Sequence, residues 1–507
     1  MAKRLIRALP WMLTRVERRL CTTATATATE TAAAVEGSES KPLYRRLSAL
    51  GKAPKGSVVE TMNGWLREGR AVTFIELMKD VRELRRYKRF DHALELMDWM
   101  ENRGMTFSEG THAIRLDLIC KVKGIDAAES YFYSLPQLVQ NQLTYGALLS
   151  NYCQKKMEDK AIAIFEKMKE LNLTSGTLIH NNLLALYSKL GQPEKVLSLF
   201  QEMKSMDIPA DNYSYSILIN SYALLNDLNS IDKLIHELEE EHKDVIDWTI
   251  YSNLASIYMS AGLFDKTESA LKKLEEIRDK RDRMPCHHLI SLYASIGNLA
   301  EVNRVWKLLK SSFGKTTNTS YLVMFQALSK LDDLDALKQC FQEWEFAHLS
   351  YYDIRLVNVV IGTYLRKGMI KEAEFLWERA KQKGAGSDFR TFNYFIDYYL
   401  KHETSLALKC LEAATDLVKH DEWKPQQEMV TAFLKHFKET EDVDRAEAVC
   451  KCLKKLNCLD AGAYEYLLRT YVAAGRTEPS LLQRIKDDGI ELNSLSKELL
   501  DKVCKLD

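Results

Sequence analysis

One aromatic column constrains this chain more than any other feature. Tyr152, Tyr187, Tyr222, Tyr258, Tyr293, Leu328, Tyr364, Tyr399, Phe437 and Tyr471 follow one another at steps of 34 to 38 residues. A mean step of about 35 residues selects a stack of repeated units over a single globular core. Four residues after the column stand Gly191, Gly262, Gly297, Gly368 and Gly475, where a first helix must end and a left-handed cap is favoured. Beyond that turn come a small residue (Ala161, Ala373), then a bulky one (Phe165, Phe200, Trp306, Phe341, Trp377), then an apolar one three further on (Met168, Met203, Leu309, Trp344). These share one face of a second helix and pack it on the first helix and on the next unit.

Each unit therefore reads as a helix–turn–helix of about 35 residues that cannot bury its apolar face alone. Two units precede the column: Phe74–Ser108, with Ala93, Met100 and Gly104 in register, and the shorter Glu109–Asn141, with Ala128 and Phe132. The expected fold is all-α, a right-handed α-solenoid of about twelve such units spanning 74–493. A helical cap is expected over 43–73 and a closing helix over 494–507. Gly 21 and Pro 9 in 507 residues argue against a turn-rich β fold. No run of 18 apolar residues is present, so no membrane partner is expected.

The balance of 71 basic against 71 acidic residues hides two opposite regions. Residues 1–21 hold Lys3, Arg4, Arg7, Arg15, Arg18 and Arg19 against Glu17, a net +5, which leaves 65 basic and 70 acidic residues, −5, for the remainder. Leu5, Leu9, Met12, Leu13, Val16 and Leu20 share one sector of a helix opposite the arginines. This reads as an organellar targeting presequence over 1–21, against the plainer reading of a surface helix. Residues 22–42, opening TTATATATETAAAVEGSES, lack large apolar side chains and read as a disordered linker.

Units such as QLTYGALLSNYCQKKMEDKAIAIFEKMKELNLTSG (142–176) and IRLVNVVIGTYLRKGMIKEAEFLWERAKQKGAGSD (354–388) resemble pentatricopeptide repeats. The resemblance covers roughly 420 residues on one period, and Trp65–Arg70 in the cap is similar to plant members of the pure-repeat class. It implies an organellar RNA-binding protein of a land plant. Arg19-Leu20-Cys21-Thr22 is similar to a mitochondrial processing site, which favours the mitochondrial matrix, with the chloroplast second.

In that family each unit reads one unstacked base through its fifth and last residues, as single-stranded RNA splaying its base edges permits. The resemblance implies the pairs Asn181 with Asp211, Ser216 with Asp247, Ser252 with Asp282, Asn358 with Asp388, Asn393 with Gln426, and Thr431 with Asp460. Asn with Asp implies uracil, and a hydroxyl with Asp implies guanine, whose two edge donors suit a carboxylate. Met78, Ala113, Gly146, His287 and Leu322 occupy the fifth place elsewhere and depart from the pattern. For any single pair the competing reading is an ordinary helix N-cap. Thirteenth positions Arg86, Lys121, Lys189, Lys330, Arg366 and Lys401 are implied to face RNA phosphates; a cation favoured by the helix C-terminal dipole is the alternative. Arg82, Arg85, Arg86 and Arg89 form a denser stripe, suited to phosphate or to a solvated face.

No catalytic motif assembles. Gly314-Lys315-Thr316 lacks the upstream glycine of a phosphate loop, since Leu309 stands in its place. Gly384-Ala385-Gly386 follows a helix, not a strand. His420-Asp421-Glu422 is followed by no P-C-x-x-C. Cys450, Cys452 and Cys458 have the wrong spacing for zinc and read as free thiols. The expectation is a non-catalytic single-stranded RNA binder acting in organellar RNA stability, processing or translation, without cofactor, metal or small-molecule substrate. The rival is a protein-binding α-solenoid scaffold in a mitochondrial ribosome or an assembly role.

Overall fold

In the computed structural model the described residues are 42–51, 53–241, 243–347, 352–385, 388–417 and 423–504. The expected presequence, nearly all of the expected linker, and His420-Asp421-Glu422 lie outside them. The described residues form 27 helices and no strand. Helices α1 (Leu43–Ala49) and α2 (Ser57–Arg67) come first. The first unit continues with the pairs α3 (Phe74–Arg86) and α4 (Phe90–Asn102), α5 (Glu109–Lys123) and α6 (Ile125–Ser134), α7 (Gln142–Gln154) and α8 (Glu158–Glu170), and α9 (Thr177–Leu190) and α10 (Pro193–Ser205). It ends with α11 (Asn212–Leu224) and α12 (Leu228–Glu241), then α13 (Trp248–Ser260) and α14 (Phe264–Ile277).

The chain divides after Arg278. The second compact unit opens with α15 (Met284–Ser295) and α16 (Leu299–Ser312), α17 (Asn318–Lys330) and α18 (Leu334–Ala347), and α19 (Ile354–Arg366) and α20 (Ile370–Gln382). It continues with α21 (Phe389–His402) and α22 (Thr404–Leu417), α23 (Gln427–Glu439) and α24 (Val443–Lys455), and α25 (Ala461–Ala473) with the short α26 (Leu481–Asp487). Helix α27 (Ser494–Cys504) packs on α25.

Within each unit the first helices of successive pairs pack directly on one another, as α5 on α7 and α15 on α17 do. Most second helices stand further apart and meet through side chains. The result is an α-solenoid built as two layers, an A layer of first helices and a B layer of second helices. The bulky B-layer column carries the core across each junction. Phe165 meets His180, Phe200 meets Tyr215, Trp306 meets Tyr321 and Trp377 meets Phe392, all with ring centroids 5.4–5.5 Å apart. Each contact joins residues fifteen apart in sequence, so these four B helices each seal the start of the next A helix.

The turn between the layers is left-handed at one register position in most units, with or without glycine there; Glu403, at φ −154°, is an exception. Gly191 and Gly262 sit at φ 70° and 76°, and Lys156, Asn226, Asp332 and Glu441 occupy the same place at 59°, 59°, 61° and 56°. The fold therefore imposes the conformation and glycine merely relieves it.

Candidate nucleic-acid interface

Nine of the twelve A helices begin at side-chain caps, because the first N–H groups of a helix have no partner within it. Asp211, Asp247, Asp388 and Asp460 are all N-caps whose carboxylates accept helix N–H groups. These are the last residues of four of the expected pairs, so the capping reading and the pairing reading describe the same side chains.

Two pairs meet directly. Asn181 Nδ2 donates to Asp211 Oδ1 at 3.0 Å, and Ser214 Oγ donates to Asn181 Oδ1 at 2.6 Å. Ser214 N–H donates to the same Asp211 oxygen at 2.9 Å. The second junction repeats the arrangement: Asn358 Nδ2 to Asp388 Oδ1 at 2.8 Å, Thr391 Oγ1 to Asn358 Oδ1 at 2.7 Å, and Thr391 N–H to Asp388 at 3.1 Å. Both asparagines are buried, at 1% and 3% exposure, whereas Asp211 is exposed and Asp388 half-buried. The carboxylate is thus the outward end of each pair, and the buried amide fixes its orientation. What remains available at such a site is a carboxylate oxygen able to accept a donor from a planar base edge.

Ser216 and Asp247 are linked through two intervening side chains. Ser216 Oγ lies 3.3 Å from Asn212 Oδ1, Thr249 Oγ1 lies 3.1 Å from that same oxygen, and Thr249 N–H donates to Asp247 at 2.6 Å. Ser252 and Asp282 belong to different compact units; Ser252 is buried in α13, and Asp282 accepts the N–H of Met284 at 2.9 Å. Among the described residues no hydrogen bond joins Asn393 to Gln426 or Thr431 to Asp460. Gln426 is exposed, and Asn393 Oδ1 is buried without a partner among the described residues. His287, which departs from the pattern, still uses the junction: its Nε2 lies 2.9 Å from Ser320 Oγ, the counterpart of Ser214 and Thr391.

The thirteenth-position cations are not equivalent. Lys121 Nζ donates to Asp117 at 2.8 Å, Lys330 Nζ to Ser295 Oγ at 2.8 Å, and Arg366 Nη2 to Ser329 Oγ at 2.6 Å. Lys330 and Arg366 thereby tie one A helix to the one before it. Lys189 is half-buried, Lys401 is exposed, and Arg86 is exposed with Glu83 at 3.7 Å. Of the arginine stripe, Arg85 turns away to Asp117 on α5 at 2.8 Å and Arg89 is half-buried at the N-cap of α4. The stripe is therefore not one face; helical spacing alone put Arg85 on a surface that its neighbour covers.

The B layer contains a feature that sequence reasoning missed. Lysines of one B helix bridge to carboxylates of another one repeat away: Lys160 to Glu129 at 2.5 Å, Lys195 to Glu158 at 2.5 Å, Lys266 to Asp232 at 2.5 Å and Lys204 to Glu237 at 2.9 Å in the first unit, and Lys310 to Glu343 at 3.1 Å in the second. A-layer tyrosines add to the same carboxylates. Tyr258 Oη donates to Asp232 at 2.6 Å and Tyr321 Oη to Glu343 at 2.9 Å. Burial, and then the carboxylate beside it, holds each phenol above its ordinary pKa. The only sequence signal was opposite charges one period apart.

The thiols are also placed. Cys450 and Cys452 are buried and free, and burial pushes the Cys450 thiol up to about 12. Such thiols are poor nucleophiles and poor metal ligands at neutral pH.

Family models describing the PPR repeat match residues 143–173, 213–242 and 356–384, and one describing the PPR repeat family matches 175–223. A mitochondrial pentatricopeptide repeat-containing protein of Arabidopsis thaliana is 41% identical over 499 residues, covering 97% of this chain and 99% of its own length. The large ribosomal subunit protein mL101 (rPPR4) of the same plant is 44% identical, covering 92% of this chain and 95% of its own. Among solved structures, the pentatricopeptide repeat protein PPR10 from maize superposes with a TM-score of 0.52 at 16% identity. That match covers 81% of this chain and 62% of the maize chain, and it is a likeness of fold.

Proposed function

This chain belongs to the pentatricopeptide repeat family, and from that premise we propose that it binds single-stranded RNA in the mitochondrion without catalysing a reaction. The observation that carries the reading is the recurrence of one junction, Asn181–Asp211–Ser214 and Asn358–Asp388–Thr391, in two separate parts of the A layer. A capped helix needs only the Asp and one N–H. A buried Asn clamped behind that Asp, 30 residues away in sequence in both cases, adds geometric precision that capping alone does not require. Each junction presents an oriented carboxylate on the A side, suited to one base edge. The pairs proposed to read bases are those named above, with Arg86, Lys121, Lys189, Lys330, Arg366 and Lys401 as the thirteenth-position cations for phosphate. Bound RNA would be shielded from nucleases, held free of hairpins, or passed to a partner. The mitochondrial address rests on the basic amphipathic start of the sequence and on the mitochondrial relatives.

A second reading, a scaffold within a ribosome, is favoured by one observation: the similarity to mL101 extends over 95% of that ribosomal protein. Crosslinking in mitochondria followed by sequencing of bound RNA tests the first reading, with a recurrent single-stranded tract as the expected result. Purification with and without nuclease separates the two: partners that persist after nuclease favour the scaffold.

A further inference from the structure

Charge is distributed along the array much less evenly than the neutral total implies. Residues 43–89, the two cap helices and the first A helix, hold twelve basic and five acidic residues, +7, while residues 90–507 hold 52 basic and 62 acidic, −10. On α3 the residues Ile75, Lys79, Arg82 and Arg86 are all exposed and follow the spacing i, i+4, i+7, i+11, which places them on one face. Corresponding positions in every other unit carry at most two cations: Leu178, Asn182, Ala185 and Lys189 in one, Arg355, Val359, Gly362 and Arg366 in another.

These cations are scarcely neutralised. Among the described residues Lys79 makes no ion pair, Arg82 donates only to the Met78 carbonyl of its own helix at 3.2 Å, and the one carboxylate near Arg86 is Glu83 at 3.7 Å. Cations of the B layer, by contrast, are drawn onto carboxylates one repeat away. Aromatic rings border the basic face. Tyr87, 59% exposed, lies beneath the Arg86 guanidinium at 5.8 Å, and Tyr44 of α1 packs against it at 6.4 Å. The fifth residue of this unit is Met78, buried and unable to hydrogen-bond a base edge.

We infer that the first A helix is an electrostatic anchor for the RNA backbone, which holds phosphates through Lys79, Arg82 and Arg86 and reads no base. The inference rests on the RNA-binding reading above. It also supplies what that reading lacks: a body of net negative charge repels RNA overall, so phosphate attraction must come from a local concentration of cations. An anionic lipid surface is disfavoured, because the face carries one exposed aliphatic side chain, Ile75, and no apolar stripe to enter a bilayer.

The test uses the full chain, the triple variant K79Q/R82Q/R86Q, and a charge-matched control on exposed B-layer lysines, K371Q/K409Q/K451Q. Affinity for uracil-rich, guanine-rich and mixed single-stranded RNA is measured between about 50 and 200 mM salt. At about 0.7 per neutralised phosphate on a single strand, the K79Q/R82Q/R86Q variant is expected to lose about 2 from the slope of log affinity against log salt. It should weaken equally on every sequence, and the control should keep the wild-type slope. Equal losses in the two triples, or an unchanged slope in the first, overturn the anchor. So does a variant that keeps RNA affinity but no longer binds phosphatidylcholine–phosphatidylglycerol vesicles. A wild-type chain that binds none of the RNAs overturns the RNA-binding reading itself, a different result from either. Circular dichroism of both triples, expected to match wild type because every altered side chain is exposed, keeps a folding defect from imitating a loss.

Discussion

Neighbouring repeats are joined twice, by unlike chemistry. At the start of α11, Asn181, Asp211 and Ser214 close a junction in which the amide is buried and both of its polar atoms are matched. At the B-layer contact of α12 with α14, Lys266 meets Asp232 with both side chains substantially exposed, at 48% and 36%. Removing one partner of the buried junction strands a desolvated amide. Removing one partner of the exposed pair lets water take its place. The A layer thus sets the geometry of the stack, and the B layer supplies many small, salt-sensitive increments. It also follows that the B-layer charges are largely occupied in stacking, so binding chemistry falls to the A layer.

Four substitutions probe this division, in descending order of expected effect. Asp388→Ala removes a helix cap and leaves the buried Asn358 amide unpaired; about 2 kcal/mol of stability is expected to be lost in chemical denaturation. A loss no larger than that of a B-layer lysine would erase the distinction between the layers.

Asp80 offers a second test within the A layer. Burial, with Glu76 and Glu83 nearby and only Lys79 opposing, raises its pKa from 3.8 to about 6; the Tyr44 phenol lies in the same field. The folded state therefore holds this proton more tightly than the unfolded chain. Its stabilising effect is present below about pH 4 and is lost as pH rises through about 6. Asp80→Asn should abolish that decline and gain about 1–2 kcal/mol at pH 7, with little change at pH 4. Melting curves of both proteins at the two pH values check it; an equal gain at both would contradict the titration.

Glu441→Gly should stabilise by about 1 kcal/mol, because Glu441 bears a left-handed backbone that glycine adopts freely. A destabilised variant would show that the side chain, not the backbone, matters at the turn. Lys266→Ala should cost less than about 1 kcal/mol, and less again in high salt. An effect above that would give the B layer the larger structural role.

How much of this was legible beforehand differs by layer. The period, the two-helix unit and the bulky column were readable because apolar side chains at 3.6-residue spacing must be buried. The Asn–Asp pairs were readable as candidates, but the hydroxyls of Ser214 and Thr391 that complete them were not singled out, although a Ser or Thr three residues after an Asp is a capping signal. The B-layer bridges join residues such as Lys195 and Glu158, 37 apart, and no rule of single-helix spacing connects them. The left-handed turns at Lys156 and Glu441 were not legible because neither residue type favours a turn of that hand. Arg85 was misplaced for the opposite reason: the helical wheel showed its direction and not the helix that covers it.

The central claim, that A-layer pairs read single-stranded bases, is tested most directly at α19. Asn358→Thr exchanges an Asn–Asp pair for a hydroxyl–Asp pair while Asp388 keeps its cap. Affinities of wild type and variant are compared on two RNAs that differ only by uracil or guanine at one position of the crosslinked tract. The expected result is a switch of preference from uracil to guanine at that position, by about tenfold for a difference of about 1.4 kcal/mol. Identical affinities of both proteins for both RNAs would contradict base reading and leave Asn358 and Asp388 as a structural junction alone.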